Sequence, residues 1–511
     1  MGTKSFFARR HSAKIIFFIM GIASTIWFLV RVVPKPQRAA YPCMRATAPV
    51  MSGFVIYLLA LATSVFGFRR TRKNLLQGKY LATLLFFVVT LAGGFVLLEY
   101  NENTIFGRSY NFDDVVPNQP IGVERGIHPG RVVWVHNPGV ASWDGSTGFW
   151  WDDKYTSQEG TGKMLPAALL ELTGENNLPE AWKSLFRYFN QKKHNVNAGY
   201  QEHQKIAIKI NQNNTYSHAD TEELNASPQL TLELLRSLVY HAGVPQENIT
   251  IFDASRYITD YIYNKCHSEF PQVKYVDYSG GNGRIKTSYI ENAIPYSIDN
   301  GALAKGLSAS AVEADYIINM ALLKGHVGQG VTLCAKNWYG VTNIYDDWRK
   351  NAHNNFDQDR QGKPKYMTFV DFMGHKDLGE KTLLFLIDGL YGSKSVAGPP
   401  APKWKMLPFN GNWPCSLFAS QDGVAIDAVG LDFLRNEWPD APDMKYSDHY
   451  LIEAALAGTP PSKSIYDPER DSVGLTSLGV MEHWNNATEK KYSRNLGKSY
   501  GIELIYKKIE E

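Results

Sequence analysis

The stretch "DYIINMALLKGHVGQGVTLCAKNWYGV" occupies residues 315–341. Its opening, "DYIINMALL", is a short apolar run of the kind that forms a buried strand. Lys324 and His326 follow at the end of the run, then glycines at 325, 328 and 330, then a short helix beginning near Thr332. Lys324 and His326, two apart, would face the same way if the chain stays extended. Thr332 and Lys336, four apart, would share one helical face. Polar groups in a segment that otherwise reads as core must meet a ligand or pair with other protein groups.

Working outward, "RVVWVHN" (131–137), "KIAIKIN" (205–211), "NITIFDA" (248–254), "VKYVDY" (273–278) and "TLLFLIDGL" (382–390) read as further strands. Between them lie helical patterns. In "ASPQLTLELLRSLVYHAGV", Ser227 suits an N-cap, Pro228 the first helical position and Gly243 the position past the end. Strand alternating with helix predicts an α/β fold, a largely parallel layered sheet with flanking helices. In such sheets ligands bind beyond the carboxyl ends of the strands. Those ends carry Asn137, Lys209 with Asn211, Asp253, Lys324 with His326, and Asp388. The polar loops "SVAGPPAPK" (395–403) and "NFDQDRQGKPK" (355–365) are candidate lids.

The first hundred residues differ in kind. They hold 13 Lys and Arg against one acid, Glu99, while the remaining chain holds 40 basic and 49 acidic residues. The acidic remainder excludes a surface built for nucleic acid. Apolar runs at 15–33, 50–68 and 80–98 approach the length of about 20 residues that spans a bilayer, so three transmembrane helices are expected over a module of residues 1–100. The first run also fits a signal-peptide core, with "RAA" before Tyr41 as its cleavage site. Loop charges, nine basic residues against five, put the N-terminus in the cytoplasm and the domain over residues 101–511 outside it. The expected partners are therefore the lipid bilayer and a small-molecule ligand.

The cysteines, Cys43, Cys266, Cys334 and Cys415, show no CxxC or CxH spacing, which argues against an iron–sulfur cluster. The chain contains no GxSxG or HExxH motif, and its glycine runs match neither a Walker nor a dinucleotide pattern.

Several separated pieces resemble the domain-of-unknown-function family numbered 362. They are "GIHPGRVVWVHNPG" with Trp150 and Trp151, "KIAIKIN", the 315–341 stretch, "GHKDLG" (374–379), "LIDGLYG" (386–392) and "SQDGVAIDAVGLDFL" (420–434), a core over residues 121–435. The first piece is similar to a membrane-linked branch of that family. Some relatives carry ferredoxin-like cysteine clusters, and this chain does not. The resemblance implies a fold and a set of polar positions rather than a reaction.

From these readings, Lys324, His326, Lys336 and Asn337 are candidate catalytic residues. Lys209, Asn211, Thr332, Asp388 and Asp427 are candidate ligand-binding residues. Paired lysines near a carboxylate suit a carboxylate or phosphate ligand, and a histidine beside them can move a proton. Asp427 falls on the apolar stripe of its helix with Val424, Leu431 and Leu434, so it must be paired, protonated or bound to a cation. A divalent metal is a further expectation, with His375 and Asp253 as its candidate ligands. The competing reading makes these polar positions structural pairs in a non-catalytic binding or assembly protein of the cell envelope.

Overall fold

The computed structural model describes residues 22–32, 34, 42–99, 116–299, 301, 303–328, 330–343 and 364–509. It divides into two compact units, Met1–Tyr110 and Asn111–Glu511.

In the first unit, helix α1 (Pro42–Leu76) and helix α2 (Tyr80–Glu99) pack side by side. The turn between them places Gly78 at φ +67°, a conformation that favours glycine. Among the described residues no helix is long and apolar enough to cross a membrane, which corrects the expectation of three spanning helices. Of the first apolar run, residues 22–32 are described as helix and the rest lies outside the described residues. The second run is part of a longer helix that also carries Arg45, Arg69, Arg70, Arg72 and Lys73, so apolar and charged residues share one element. The sidedness drawn from loop charges rested on those spans.

The second unit is built on a ten-stranded sheet. Its strands in chain order are β1 (Arg131–His136), β2 (Ile206–Lys209), β3 (Ile249–Asp253), β4 (Lys274–Asp277), β5 (Ile285–Lys286), β6 (Tyr316–His326), β7 (Gly330–Thr332), β8 (Thr382–Ser393), β9 (Ser416–Ser420) and β10 (Glu503–Lys508). Across the sheet the order is β10-β1-β9-β8-β6-β2-β3-β4-β5, with β7 paired to β6. The sheet is mixed. β9 runs antiparallel to both neighbours and β7 folds back on β6, while the other pairings are parallel.

Helices cover both faces. On one side lie α3 (Gln158–Thr173), α4 (Leu178–His194), α5 (Pro228–Arg236) and α6 (Asp260–Glu269). On the other lie α7 (Cys334–Asn337), α8 (Thr368–Gly374), α9 (Gly423–Glu437) and α10 (His449–Ala455). The alternation of strand side chains decides which layer each one meets. Val133 and Val135 of β1 join the core beneath α3 and α5, whereas Trp134 turns to α9 and meets Phe433 edge-on at 4.7 Å between ring centroids. Ser227 caps α5 by accepting from the Leu230 N–H, and Pro228 takes the first turn as its sequence implies.

The strand order reverses between β2 and β6. From β2 the chain moves outward through β3, β4 and β5, then returns to lay β6 on the opposite side of β2. A reversal of this kind opens a crevice at the carboxyl ends of the two central strands.

Candidate active site

That crevice is a cleft of about 330 Å³, solvent at its mouth included, lined in part by Lys209, Asn211, Asp253, His326, Thr332, Lys336 and Asn337. Seven positions singled out in the sequence therefore meet there, drawn from β2 and the loop after it, β3, the β6–β7 hairpin and α7.

Lys209, at the end of β2, is completely buried. Its Nζ donates to the Ile210 carbonyl at 2.6 Å, Asn337 Oδ1 at 3.1 Å and Asp253 Oδ2 at 3.2 Å. Burial lowers its pKa and the Asp253 carboxylate opposes that. Three acceptors match the three donors of an ammonium, one more than an amine can supply, so the geometry keeps it charged.

Asp253 is saturated. Oδ1 accepts from the N–H and hydroxyl of Ser255, both at 3.0 Å, and Oδ2 from Lys209 and the Gln212 N–H at 3.1 Å. Asn337 is a hub rather than a reagent. Its Oδ1 accepts from Lys209 and from Asn211 Nδ2 at 3.2 Å, and its Nδ2 donates to Asn319 Oδ1 at 2.8 Å and to the Lys209 carbonyl at 3.2 Å. One amide thus ties β2, β6 and α7 together.

Lys336 is buried, with its Nζ 4.1 Å from the centre of the Tyr339 ring. Burial drives its pKa well below the usual lysine range; Arg256, Lys209 and Lys324 push the same way, and Asp253 acts against them. His326 places Nδ1 2.6 Å from the Val327 carbonyl. A carbonyl only accepts, so Nδ1 carries a proton. Thr332 lies on β7, opposite Lys324, and not on a helix with Lys336. The short helix begins two residues later, at Cys334, because β7 first returns along β6.

Four expected residues sit elsewhere. Lys324 and His326 diverge: Lys324 Nζ turns to the Leu224 carbonyl at 2.7 Å and the Val396 carbonyl at 3.3 Å, outside the cleft lining. Burial brings its pKa down to about 7, with Glu223 opposing. The same Val396 carbonyl accepts from Asn213 and Asn214, so the 395–403 segment is pinned in place at its start. Most of the 355–365 segment lies outside the described residues.

Asp388 accepts from the Ser227 N–H at 2.8 Å and the Leu390 N–H at 3.2 Å, and burial raises its pKa. It fixes the start of α5. Asp427 accepts from the Cys334 N–H at 2.8 Å, the Ala335 N–H at 2.9 Å and the Tyr450 hydroxyl at 3.0 Å, with burial raising its pKa to about 6. It anchors the first turn of α7 and so positions Lys336 and Asn337.

His375 accepts from the Asp377 N–H at Nδ1, 3.1 Å away, and donates from Nε2 to the Ala293 carbonyl at 2.9 Å. Burial lowers its pKa to about 4. Both ring nitrogens are engaged, and Asp253 is saturated in the cleft, so the two candidate metal ligands do not form a site. Among the described residues no cluster of three His, Cys, Asp or Glu side chains is placed to hold a metal ion.

The sequence reading missed Ser255, Arg256, Asn213, Tyr339 and Gly340. Ser255 and Arg256 follow Asp253 directly, so the strand-end rule that found Asp253 also reaches them. Arg256 donates to the Ser255 carbonyl at 2.8 Å and lies 5.3 Å from the centre of the Tyr216 ring. Its buried Nε has no hydrogen-bond partner among the described residues. The signal for Gly340 is purely three-dimensional. A Cβ there would stand 2.7 Å from Lys209 Nζ and 3.0 Å from Asp253 Oδ1.

No curated protein and no solved structure matches the chain. The family model described as a domain of unknown function (DUF362) matches residues 206–432, and that match supports this domain family for the segment holding every cleft residue named above.

Proposed function

We propose that the cleft binds a small oxyanion, a carboxylate or a phosphate, and that the domain acts on it by proton transfer. The observation that carries this reading is the charge of the described lining. Lys209 and Arg256 converge with a single carboxylate, Asp253, which is fully engaged in fixing Lys209, and the burial and like charges that push Lys336 beside them toward the neutral amine would be offset by a bound anion. Cations held by a rigid scaffold suit an anion better than mobile surface lysines do. Arg256 would supply the planar guanidinium that grips two oxygens, and His326, on the same lining, would exchange the proton.

A second reading, binding without chemistry, draws on the saturation of Asp253 and Asn337. That saturation removes both from the list of reagents. Within the family, we group the chain with members that lack a cysteine cluster. Its described cysteines, Cys266, Cys334 and Cys415, are free and buried at separate places.

The test is calorimetric titration of the purified chain with inorganic phosphate and with malonate. Saturable binding that weakens with added salt is expected. Arg256→Gln should weaken it about tenfold, ~1.4 kcal/mol, without lowering the melting temperature. A folded protein that binds neither anion would end the proposal. Binding with no proton exchange from a bound, carbon-acidic carboxylate in deuterated solvent would leave the second reading.

A further inference from the structure

We propose that a second binding site lies at the opposite end of the sheet, for a small carboxylate with an apolar body. The site is a cavity of about 910 Å³, open solvent included, near the amino-terminal end of β8 and the carboxyl end of the reversed strand β9. It is independent of the oxyanion cleft, with which it shares no lining residue.

Its floor is apolar. Phe189 of α4, Met373 of α8, Phe385 of β8 and Leu478 line it, each almost wholly buried. The floor depends on Gly423 at the start of α9, because a Cβ there would come within 2.8 Å of the Phe385 ring. Aromatic and thioether side chains at the base of an open cavity provide apolar surface that a ligand covers with gain.

The lip is cationic. Arg125, Lys192 and Lys193 stand against Glu124 and Glu380. Glu124 is committed to Arg494 at 2.7 Å, outside the cavity lining. Glu380 is shared by Arg125 at 2.6 Å and Lys193 at 3.8 Å. One carboxylate between two cations leaves positive charge over. Lys192 has no carboxylate partner among the described residues, and its Nζ lies 5.8 Å from the centre of the Tyr188 ring. The Tyr188 hydroxyl accepts from the Gly126 N–H at 2.8 Å. Its own proton meets no acceptor among the described residues, so it is available to a ligand oxygen.

An apolar floor, a surplus ammonium and a phenol donor at one rim select a molecule with a hydrocarbon body and one anionic head. A phosphate or small dicarboxylate lacks the body, and a neutral hydrocarbon leaves Lys192 and Tyr188 unused.

The test is equilibrium dialysis of the full chain with radiolabelled decanoate, beside Lys192→Glu and Tyr188→Phe proteins of unchanged melting temperature. The expected result is one saturable site, weakened about tenfold by Lys192→Glu and several-fold by Tyr188→Phe. Absence of saturable binding overturns the proposal. So does decanoate binding that neither substitution weakens, because the molecule then sits elsewhere. Phosphate that competes with decanoate one for one also overturns it, since the two sites are then not distinct.

Discussion

Lys209 and Lys336 share a cleft and differ in what surrounds them. Lys209 is enclosed by oxygen acceptors, and Lys336 places its Nζ over the Tyr339 ring with other cations nearby. The first is built to stay charged and the second is pushed toward the neutral amine. The enclosure of Lys209 requires a residue without a Cβ at 340, because any side chain there would press on the ammonium and on Asp253. Gly340→Ala should therefore cost roughly 1–3 kcal/mol, the usual range for overpacking a filled site. Denaturant unfolding measures it, and an unchanged midpoint would mean that Lys209 moves aside freely. Lysine at 209 is legible in the sequence as a charge at the end of an apolar strand. Its immobilisation is not, since its partners Asp253 and Asn337 lie 44 and 128 residues away.

At the scale of elements, α7 is the weak member. A helix of four residues has too few internal hydrogen bonds to stand alone. It persists because Asp427, on α9, accepts its first two N–H groups. The sequence showed Asp427 as a carboxylate on an apolar stripe, which demanded a partner. It did not show that the partner is backbone belonging to the site. Asp427→Asn keeps one acceptor and sets an amide N–H against the other N–H, so a loss of about 1–3 kcal/mol is expected. Oxyanion affinity should fall with it, because α7 carries Lys336 and Asn337. Intact affinity in a destabilised Asp427→Asn protein would show that α7 holds its shape without this anchor. Asp388 is the matching case on the other face, where an acid within β8 anchors α5 through Ser227 rather than meeting a ligand.

At the scale of the whole molecule, the C-terminal segment closes the structure with charge as well as apolar contact. His483 places Nδ1 2.5 Å from Asp432 on α9 and Nε2 3.6 Å from Asp448, and Asp448 also takes Arg435 at 2.9 Å. Burial works against the imidazolium, and the two carboxylates overcome it and raise His483 to about 9. A group whose folded pKa lies above its unfolded value stabilises fully below the unfolded value of about 6.5. The contribution is lost as pH rises through 9. It amounts to ~3 kcal/mol in order of magnitude. Unfolding free energy of the wild-type chain should therefore fall between pH 6.5 and 9.5, and His483→Gln should be less stable at pH 6.5 and flatter over that range. Parallel pH curves for the two proteins would rule the clamp out. No motif marks this cluster, because its carboxylates come from elements distant from His483 along the chain.

The sequence by itself determined the alternation of strand and helix, most strand positions, the Ser227 cap and the presence of polar residues near strand ends. These follow from periodicity and from hydrogen-bonding chemistry within a few residues. Only the tertiary structure decided that the sheet is mixed, that Lys324, Asp388, Asp427 and His375 face protein groups instead of the cleft, and that the described N-terminal helices fall short of membrane spans. The physical reason is the same in each case. A buried charge is satisfied by whatever the fold brings to it, and those partners come from segments distant along the chain. Strand order places them, and no local pattern records strand order.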